Sequence, residues 1–409
     1  MHRMTSSLRT VPAARTLERA RAAARELGIV RVTDTTWLDR IGVPVFAAVR
    51  PESQSLCVNA GKGTHPDEAR VGAYMEAIEF ALAEYRHREV EVVVSTPRAV
   101  AAQPGAEFGF LDLCPLLGAP VDPDGPLACV PAEDVTTGRS VLVPAELVFH
   151  PFAENPGQRL FGTGTNGLCS GNSVDEATVH GLCEVIERDV RSFDLLRDRS
   201  RPVPPDGLGG DPRALWEKVE AAGLTAVLRC TPNEFGLPYF DGYVLEPDAD
   251  APVALAHGSG LHLLRDIAAV RALAEAAQSR LTYIHGGRDD LADRSARFAA
   301  RGDGDAGGAE RRAVRAARTR VLDPADPVPY GRVPDLAAAA TGLDAALAAL
   351  TGALARRGLR QVLRVVLSRR FAPLAVVRVI VPGLEHFQPD LRRVGPRLAA
   401  LTGTGRGAR

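Results

Sequence analysis

The sequence predicts an α+β fold in which helices pack on mixed or antiparallel sheets. Many short segments are β-branched or alternate apolar and polar residues between turn residues, which is typical of strands. Two longer segments, 64–86 and 173–191, have the apolar periodicity of buried helices. Strand pairs joined by tight turns, such as 237–245 with 253–256, argue against a parallel sheet with alternating helices.

Length and composition are those of an ordinary globular protein. The 409 residues are 45% hydrophobic and 24% charged, and the formal net charge is −1. Such a balance predicts no nucleic-acid or membrane partner, and no apolar run is long enough to cross a membrane. The six cysteines have no paired spacing, which argues against structural zinc and disulfides and favours a cytoplasmic location.

The elements follow one another in a simple order. Residues 1–28 predict an amphipathic N-terminal helix, residues 29–401 one domain, and residues 402–409 a flexible tail. Inside the domain, Pro and Gly at 201–212 predict a crossing loop, and the composition of 289–334 predicts a mobile segment. The other predicted strands are 31–36, 43–49, 55–59, 90–94, 128–130, 140–143, 226–230, 361–367 and 374–381, and the other predicted helices are 213–222, 266–284 and 343–357.

The most informative stretch is 161–191, a loop rich in Gly, Thr, Ser and Asn that leads into a helix. Ser173 and Glu176 have the spacing of a capping box at its start. Glu176, Glu184 and Glu187 lie on one stripe of this largely apolar helix. Buried carboxylates need a compensating cation, and a helix N-terminus attracts an anion. The pattern therefore predicts a nucleotide held through magnesium, although capping alone would also explain Glu176.

A similar unit lies earlier in the chain. Gly61-Lys62-Gly63 precedes a helix that carries Glu76 and Glu79 three residues apart on one face. Lys62 is explained equally well as a phosphate contact or as a surface turn lysine, because the full P-loop spacing is absent. The two glutamates are explained as a site or as a solvated face paired with nearby arginines.

The predicted helix 266–284 has two interpretations. Arg271, Glu275 and Gln278 lie near one another on it, and Arg280 follows a half-turn later. They would form the polar face of an ordinary amphipathic helix, or a cationic wall that neutralises triphosphate oxygens.

Together these motifs resemble the YcaO family. The resemblance depends on GKG-x12-E-x-x-E at 61–79, SGN-x3-EA-x6-E-x-x-ER at 170–188, AL-x-E-x-x-QSRL at 272–281 followed by GGRDD, and VPGLE at 381–385. It covers nearly the whole chain, and the second motif is specific.

The resemblance implies a YcaO-type ATP-binding fold and an enzyme that uses ATP and Mg²⁺ to phosphorylate the oxygen of a peptide backbone amide. Glu76, Glu79, Glu184 and Glu187 match the family's magnesium-binding carboxylates. The residues that match the family's nucleotide contacts are Asn172, Glu176, Arg188, Gln278 and Arg280. Lys62 is added to them as a further candidate nucleotide contact. The chain departs from the family pattern at Gly72, Phe80, Thr165 and Cys169, which concerns individual ribose or phosphate contacts.

The product depends on the nucleophile. In the family, a Cys, Ser or Thr side chain gives an azoline, sulfide gives a thioamide and an amine gives an amidine. The segment 33–51, TDTTWLDRIGVPVFAAVRP, resembles the subgroup that works with a TfuA partner, and residues 405–409 lack the proline-rich tail of azoline formers. We therefore expect thioamide formation on a ribosomally made peptide, a TfuA-like sulfur-delivery partner and a homodimer, with azoline-forming cyclodehydration as the alternative.

Two other kinds of protein are alternatives to this interpretation. A di-metal carboxylate oxidase would also use E-x-x-E helices, but it requires E-x-x-H and an all-helical bundle. A non-catalytic family member acting as a scaffold is the other rival. The presence of all four E-x-x-E carboxylates argues against the scaffold.

Overall fold

The computed structural model describes residues 2–288 and 306–402. Within these ranges every strand pair is antiparallel and helices pack against the sheets, which confirms the predicted α+β class. The helices are α1 Ala13–Glu26, α2 Pro66–Ala83, α3 Pro97–Ala102, α4 Val174–Leu196, α5 Gly210–Ala221, α6 Arg265–His285, α7 Ala306–Val321, α8 Leu343–Ala355 and α9 Pro396–Thr402.

The strands are short, as the sequence predicts. They are β1 His2–Arg3, β2 Leu8–Arg9, β3 Arg31–Asp34, β4 Val45–Val49, β5 Val58–Lys62, β6 Val93–Ser95, β7 Leu127–Asp134, β8 Ser140–Pro144, β9 Leu168–Gly171, β10 Arg201–Val203, β11 Thr225–Cys230, β12 Tyr239–Leu245, β13 Leu255–Leu261, β14 Leu363–Val366 and β15 Ala375–Ile380. No helix in the described ranges has both the length and the apolar character needed to span a membrane.

The chain divides into two compact units. The α4 unit comprises Ile78–Asp198 and Thr341–Arg409, and the α6 unit comprises His2–Ala77 and Arg199–Ala340. The boundary falls inside α2, and the segment predicted as one domain, 29–401, contributes to both units.

The α4 unit is built on a six-stranded sheet. Its strand order is β6-β7-β14-β15-β9, with β8 pairing with β7. Helix α4 packs against β9 and β15, and α8 packs against α4. The close approach of α4 depends on Gly181, since a Cβ there would lie 2.6 Å from Cγ2 of Val379 on β15. This packing fixes the position of the carboxylate stripe.

The α6 unit contains a four-stranded sheet, β10-β11-β12-β13, a three-stranded sheet, β3-β4-β5, and the hairpin β1-β2. Helix α6 packs against β12 and β13. Strand β5 approaches the first half of α2 so closely that a Cβ on Gly61 would lie 2.1 Å from both Ala69 O and Ala73 N. Gly61 is therefore required for packing.

Three segments differ from the sequence expectation. The N-terminal helix occupies Ala13–Glu26 and follows a hairpin, so it does not fill residues 1–28. The expected crossing loop, 201–212, contains β10 and the start of α5. Of the segment expected to be mobile, 289–305 lies outside the described residues, whereas α7 and a 3-10 turn at Tyr330–Arg332 occupy parts of the remainder.

One prediction arises from His262, which is buried before α6. Its Nδ1 accepts the Leu264 N–H at 3.0 Å. Burial is the main reason that its pKa is lowered from 6.5 to about 3, and the positive charge of Arg271 is the second. The unfolded chain binds a proton between these two values and the folded chain does not, so stability falls as pH drops through this window. We expect His262→Gln to reduce the slope of unfolding free energy against pH there by up to about 1.4 kcal/mol per pH unit.

Urea unfolding at several pH values between 7 and 3.5, roughly the window in which a neutral buried histidine becomes charged, measures this slope. His65→Gln is the matched control, because His65 is exposed in the same unit. An identical slope in wild type and His262→Gln would contradict the prediction.

Candidate functional site

The start of α4 is fixed by two side chains. The Glu176 N–H donates to Ser173 Oγ at 3.1 Å, which is the first half of the expected capping box. The Glu176 carboxylate, however, accepts from the backbone N–H and the Nδ2 of Asn172, each at 3.1 Å. Both residues are buried, at 2% and 6% exposed. Glu176 therefore does act as a capping residue. Its carboxylate, however, binds the N–H of Asn172, one residue before the N-cap Ser173 whose N–H the capping box would use.

Glu184 lies about two turns after Glu176 on α4 and contacts both β9 and the loop that precedes it. Its Oε1 accepts the Gly167 N–H at 3.3 Å, and its Oε2 accepts from the Cys169 thiol at 3.2 Å. Glu187, one turn later, is only 3% exposed. The stripe predicted from the sequence thus faces the protein interior.

A buried arginine provides positive charge near these carboxylates. Arg378 on β15 is 1% exposed and donates to Val148 O at 2.8 and 3.1 Å and to Asn166 O at 2.9 Å. Burial lowers its pKa to about 10, while Glu184 and Glu79 favour its charged form. Glu79 and Glu184 therefore act on the same guanidinium.

In the α6 unit, polar side chains gather around the peptide groups of Ala60 on β5. The Ala60 N–H donates to Glu76 Oε2 at 3.2 Å, and Ala60 O accepts from Gln278 Nε2 at 2.8 Å. Lys62 Nζ lies 2.9 Å from Glu275 Oε2. Burial raises the pKa of Glu76, and Lys62 opposes this effect. The structure thus brings together Lys62, Glu76 and Gln278, three of the predicted site residues.

Arg280 has a different environment. It is 4% exposed and binds Asp39 at 3.1 Å, Glu246 at 2.7 Å and Val253 O at 3.1 Å. These contacts use the guanidinium within the core of the α6 unit. Arg188, by contrast, is half-buried on α4 and contributes positive charge at His386.

The carboxylates do not form a compact cage. Among residues 2–288 and 306–402, no group of three or more His, Cys, Asp or Glu side chains is arranged to hold a metal ion. Mg²⁺ commonly takes one or two carboxylates and completes its coordination with water and phosphate oxygens. The oxygen donors of Glu184 and Glu187 on a buried helix fit that ion.

Comparison with known proteins identifies the chain. Residues 60–385 match the family model described as YcaO cyclodehydratase, ATP- and Mg²⁺-binding. The chain belongs to the YcaO family. It binds ATP and Mg²⁺, the cofactors that the sequence predicted.

Curated relatives of this YcaO protein cover almost its whole length. A protein of Methanothermobacter thermautotrophicus is 37% identical over 377 residues, 91% of this chain and 94% of the relative, and is described as uncharacterized. A Rhizobium leguminosarum bv. trifolii protein, described as an uncharacterized protein in the tfuA 3′ region, is 31% identical over 404 residues, covering 92% and 88%.

Solved structures share the fold. YcaO from Methanopyrus kandleri bound with AMPPCP and Mg²⁺ has a TM-score of 0.72 at 23% identity, covering 96% of this chain and 97% of the other. A heterocyclase in complex with substrate and cofactor has a TM-score of 0.74 at 18% identity, covering 98% and 56%.

Sequence reasoning missed Arg378 and the thiol contact of Cys169. Arg378 was detectable as a lone arginine in the apolar strand segment LAVVRVIV. A charge in such a strand is unusual and signals a buried partner. The Cys169 contact had no comparable signal, because it depends on how β9 lies against α4.

Proposed function

We propose that this YcaO protein uses ATP and Mg²⁺ to activate a peptide backbone amide, and that the product is a thioamide. The observation that carries the amide-activating part is the α4 helix. Its N-terminus is anchored by Asn172 and Glu176, and Glu184 and Glu187 face the interior about two and three turns after Glu176. This arrangement offers an anion site and a cation site on one element.

In this proposal Glu76 and Glu79 on α2 and Glu184 and Glu187 on α4 bind magnesium. Hydrogen bonds orient two of them without using all their oxygen lone pairs, namely Glu76 through Ala60 N–H and Glu184 through Gly167 N–H. Each carboxylate oxygen can accept more than one contact. These residues would therefore hold the ion without rearranging their backbone partners.

The proposed nucleotide contacts are Asn172, Glu176 and Arg188 on and before α4, with Lys62 and Gln278 in the α6 unit. Lys62 has its ammonium on Glu275 and retains two further N–H donors. Arg280 is not included, because its guanidinium binds Asp39 and Glu246.

The chemistry requires a better leaving group than an amide oxygen. Phosphorylation of that oxygen makes it leave as phosphate, and catalysis of phosphoryl transfer is mainly positioning and charge neutralisation. Carboxylates that hold Mg²⁺, together with Arg188, provide both requirements. No Ser, Cys or His nucleophile of the protein is needed.

Sulfide is the proposed nucleophile, with a TfuA-like partner as sulfur donor and a homodimer as the working assembly. The support is the TfuA-type segment at 33–51 and the Rhizobium relative, whose description places it in the tfuA 3′ region. The alternative is azoline formation, favoured by the word cyclodehydratase in the family description and by the heterocyclase among the solved structures.

Mass spectrometry distinguishes the two products. We expect peptides encoded beside this gene, incubated with the protein, ATP, Mg²⁺, sulfide and the TfuA-like protein, to exchange one oxygen for sulfur. Omission of ATP or sulfide should leave the peptide mass unchanged. Loss of one water, without gain of sulfur, would show that the protein is a cyclodehydratase instead.

A further inference from the structure

One buried asparagine has no role in the function described so far. Asn59 on β5 is 1% exposed. Within residues 2–288 and 306–402, neither its Oδ1 nor its Nδ2 has a hydrogen-bond partner. An amide side chain carries two acceptor lone pairs and two N–H donors. Buried polar groups are nearly always hydrogen-bonded, because an unpaired one has lost its water without compensation. Asn59 therefore favours a ligand that both donates and accepts hydrogen bonds.

Asn233 in the same unit shows how such an amide is satisfied within the chain. Its Nδ2 donates to Leu237 O at 2.7 Å and to Thr231 O at 3.3 Å. Its Oδ1 accepts the N–H groups of Phe235 at 3.2 Å and of Leu237 at 3.3 Å. Asn233 is half-buried, whereas Asn59 is more deeply buried and forms no such contacts with the described residues.

The side chain of Asn59 lies on the face of β5 that packs against α2. Asn59 and Gly61 are two residues apart on this strand, so they share one face. A Cβ on Gly61 would lie 2.6 Å from the carbonyl carbon of Gly72 on α2. The face that Asn59 shares with Gly61 is therefore the one covered by α2.

Along α2, Asn59 is level with Glu76. The short connection between β5 and α2 makes the two elements run in opposite directions. Two strand residues span about 6.7 Å, which is the length of roughly four to five helical residues. Moving back from Gly61 to Asn59 thus corresponds to moving forward on α2 from Gly72 to about Glu76. The hydrogen bond from Ala60 N–H to Glu76 Oε2, at 3.2 Å, agrees with this register.

Asn59 and Glu76 do not bind each other, although they lie at the same level. Glu76 Oε2 accepts from the backbone of Ala60, and Asn59 Nδ2 donates to no described residue, Glu76 included. The two side chains therefore present a carboxylate and an unpaired amide to the same region of the α6 unit.

Hydrated magnesium with its phosphate matches this pair. Mg²⁺ keeps several of its waters and is bound through one or two carboxylates and substrate phosphates. A water on the ion donates hydrogen bonds, and a phosphate oxygen accepts them. We propose that Asn59 is part of the magnesium–phosphate site, where its Oδ1 accepts from a water on the ion that Glu76 binds and its Nδ2 donates to a phosphate oxygen. This inference rests on the proposed function and adds a residue to its nucleotide site.

Two other partners would also satisfy an amide. The edge of an adenine base offers a donor and an acceptor at the spacing that asparagine pairs with. A buried water forms about three hydrogen bonds and would meet part of the need. In ATP the ribose separates the base from the phosphates that bind magnesium, so the position of Asn59 beside Glu76 favours the phosphate end.

Isothermal titration of the full-length protein with AMPPCP and Mg²⁺ measures the contact without turnover. Leucine has nearly the shape of asparagine but neither a donor nor an acceptor. We expect Asn59→Leu to bind AMPPCP at least about tenfold more weakly than wild type, as for lost hydrogen bonds to charged groups. Asn233→Leu is the matched control, and it should bind AMPPCP within about threefold of wild type, because the amide of Asn233 is used within 231–237.

A double-mutant cycle with Glu76→Gln locates the contact on the nucleotide. Two residues that act on the same ion are coupled, whereas residues with no shared partner have additive effects. We expect the double variant Asn59→Leu with Glu76→Gln to bind AMPPCP no more than about threefold more weakly than the weaker-binding single variant. A contact with the base would instead multiply the two single effects.

Unfolding in urea without nucleotide tests whether the amide is unpaired. Removing an unpaired buried polar group removes its desolvation cost, so the urea midpoint of Asn59→Leu should be no lower than that of wild type. The midpoint of Asn233→Leu should fall, because its hydrogen bonds are lost.

A second pair of variants avoids the larger leucine side chain. Asn59→Ser and Asn59→Ala differ only by a hydroxyl group that donates and accepts. The serine variant should bind AMPPCP at least about threefold more tightly than the alanine variant.

Unchanged AMPPCP affinity of Asn59→Leu, or equal affinities of the serine and alanine variants, would overturn the inference, and a lowered urea midpoint of Asn59→Leu would then identify a buried water as the partner. Additive effects in the cycle would place Asn59 at the base and overturn it as well. The inference and the proposed function fail separately. If the affinities change as expected but no sulfur enters any peptide, the proposed function is wrong and the role of Asn59 stands. If wild type makes the thioamide and Asn59→Leu binds AMPPCP as tightly as wild type, the role of Asn59 is wrong and the proposed function stands.

Discussion

Replacing Glu184 by glutamine is expected to reduce ATP turnover by roughly 10²–10³-fold or more while leaving the protein folded. The amide of glutamine can still accept the Gly167 N–H through its oxygen, so the contact seen at 3.3 Å survives. It carries no charge, however, and binds Mg²⁺ poorly compared with a carboxylate. Turnover measured across a magnesium titration should therefore show both a lower maximum and a higher magnesium requirement.

Asp175→Asn is the matched control for this substitution. Asp175 lies in the first turn of the same helix, its side chain is 55% exposed, and its partner is Arg364 at 2.9 Å. We expect turnover within about threefold of wild type, because exposed ion pairs contribute little. Near wild-type turnover of Glu184→Gln, with an unchanged magnesium requirement, would refute the proposal that Glu184 binds the metal.

Replacing Arg378 by methionine is expected to destabilise the protein by about 3–5 kcal/mol. Methionine has a similar length but leaves Val148 O and Asn166 O without their buried donor. It also removes the positive charge that Glu184 and Glu79 act on. Urea unfolding measures the loss, and added Mg²⁺ should restore stability in the variant more than in wild type, because the ion replaces the missing charge.

The control is Arg369→Met, at an exposed position that precedes β15. Its unfolding free energy should change by less than about 0.5 kcal/mol, as for most surface substitutions. If Arg378→Met loses no more stability than this control, Arg378 is not the counter-charge of the carboxylates. The same conclusion follows if Mg²⁺ stabilises wild type and Arg378→Met equally.

Local patterns predicted the elements of this structure well. The capping residue Ser173 and the following apolar periodicity placed the start of α4 within one residue. The strand pair at 237–245 and 253–256 appears as β12 and β13, shifted by about two residues at their starts. These features depend on interactions within a few residues, which a sequence displays directly.

Long-range features could not be predicted in the same way. The contacts of Lys62 with Glu275 and of Arg280 with Asp39 join residues more than two hundred positions apart. Which partner a charged side chain meets depends on how sheets and helices pack, and periodicity carries no record of it. For the same reason the sequence left Arg280 open between a phosphate contact and a structural residue, and the structure shows buried contacts with Asp39 and Glu246.

Both hydrogen bonds at Ala60 are made by its backbone atoms, so this contact does not depend on the side chain of residue 60. The N–H of this residue binds Glu76 and its carbonyl binds Gln278, whereas its methyl group packs in a cluster with Val45 and Leu281. Almost any small residue would present the same two atoms. Saturation mutagenesis at position 60 would therefore report only on the side-chain volume that this position tolerates. It would not reveal that the backbone of residue 60 binds Glu76 on α2 and Gln278 on α6. Only a change to the main chain itself, such as an ester in place of the amide, would remove the donor and reveal what this position does.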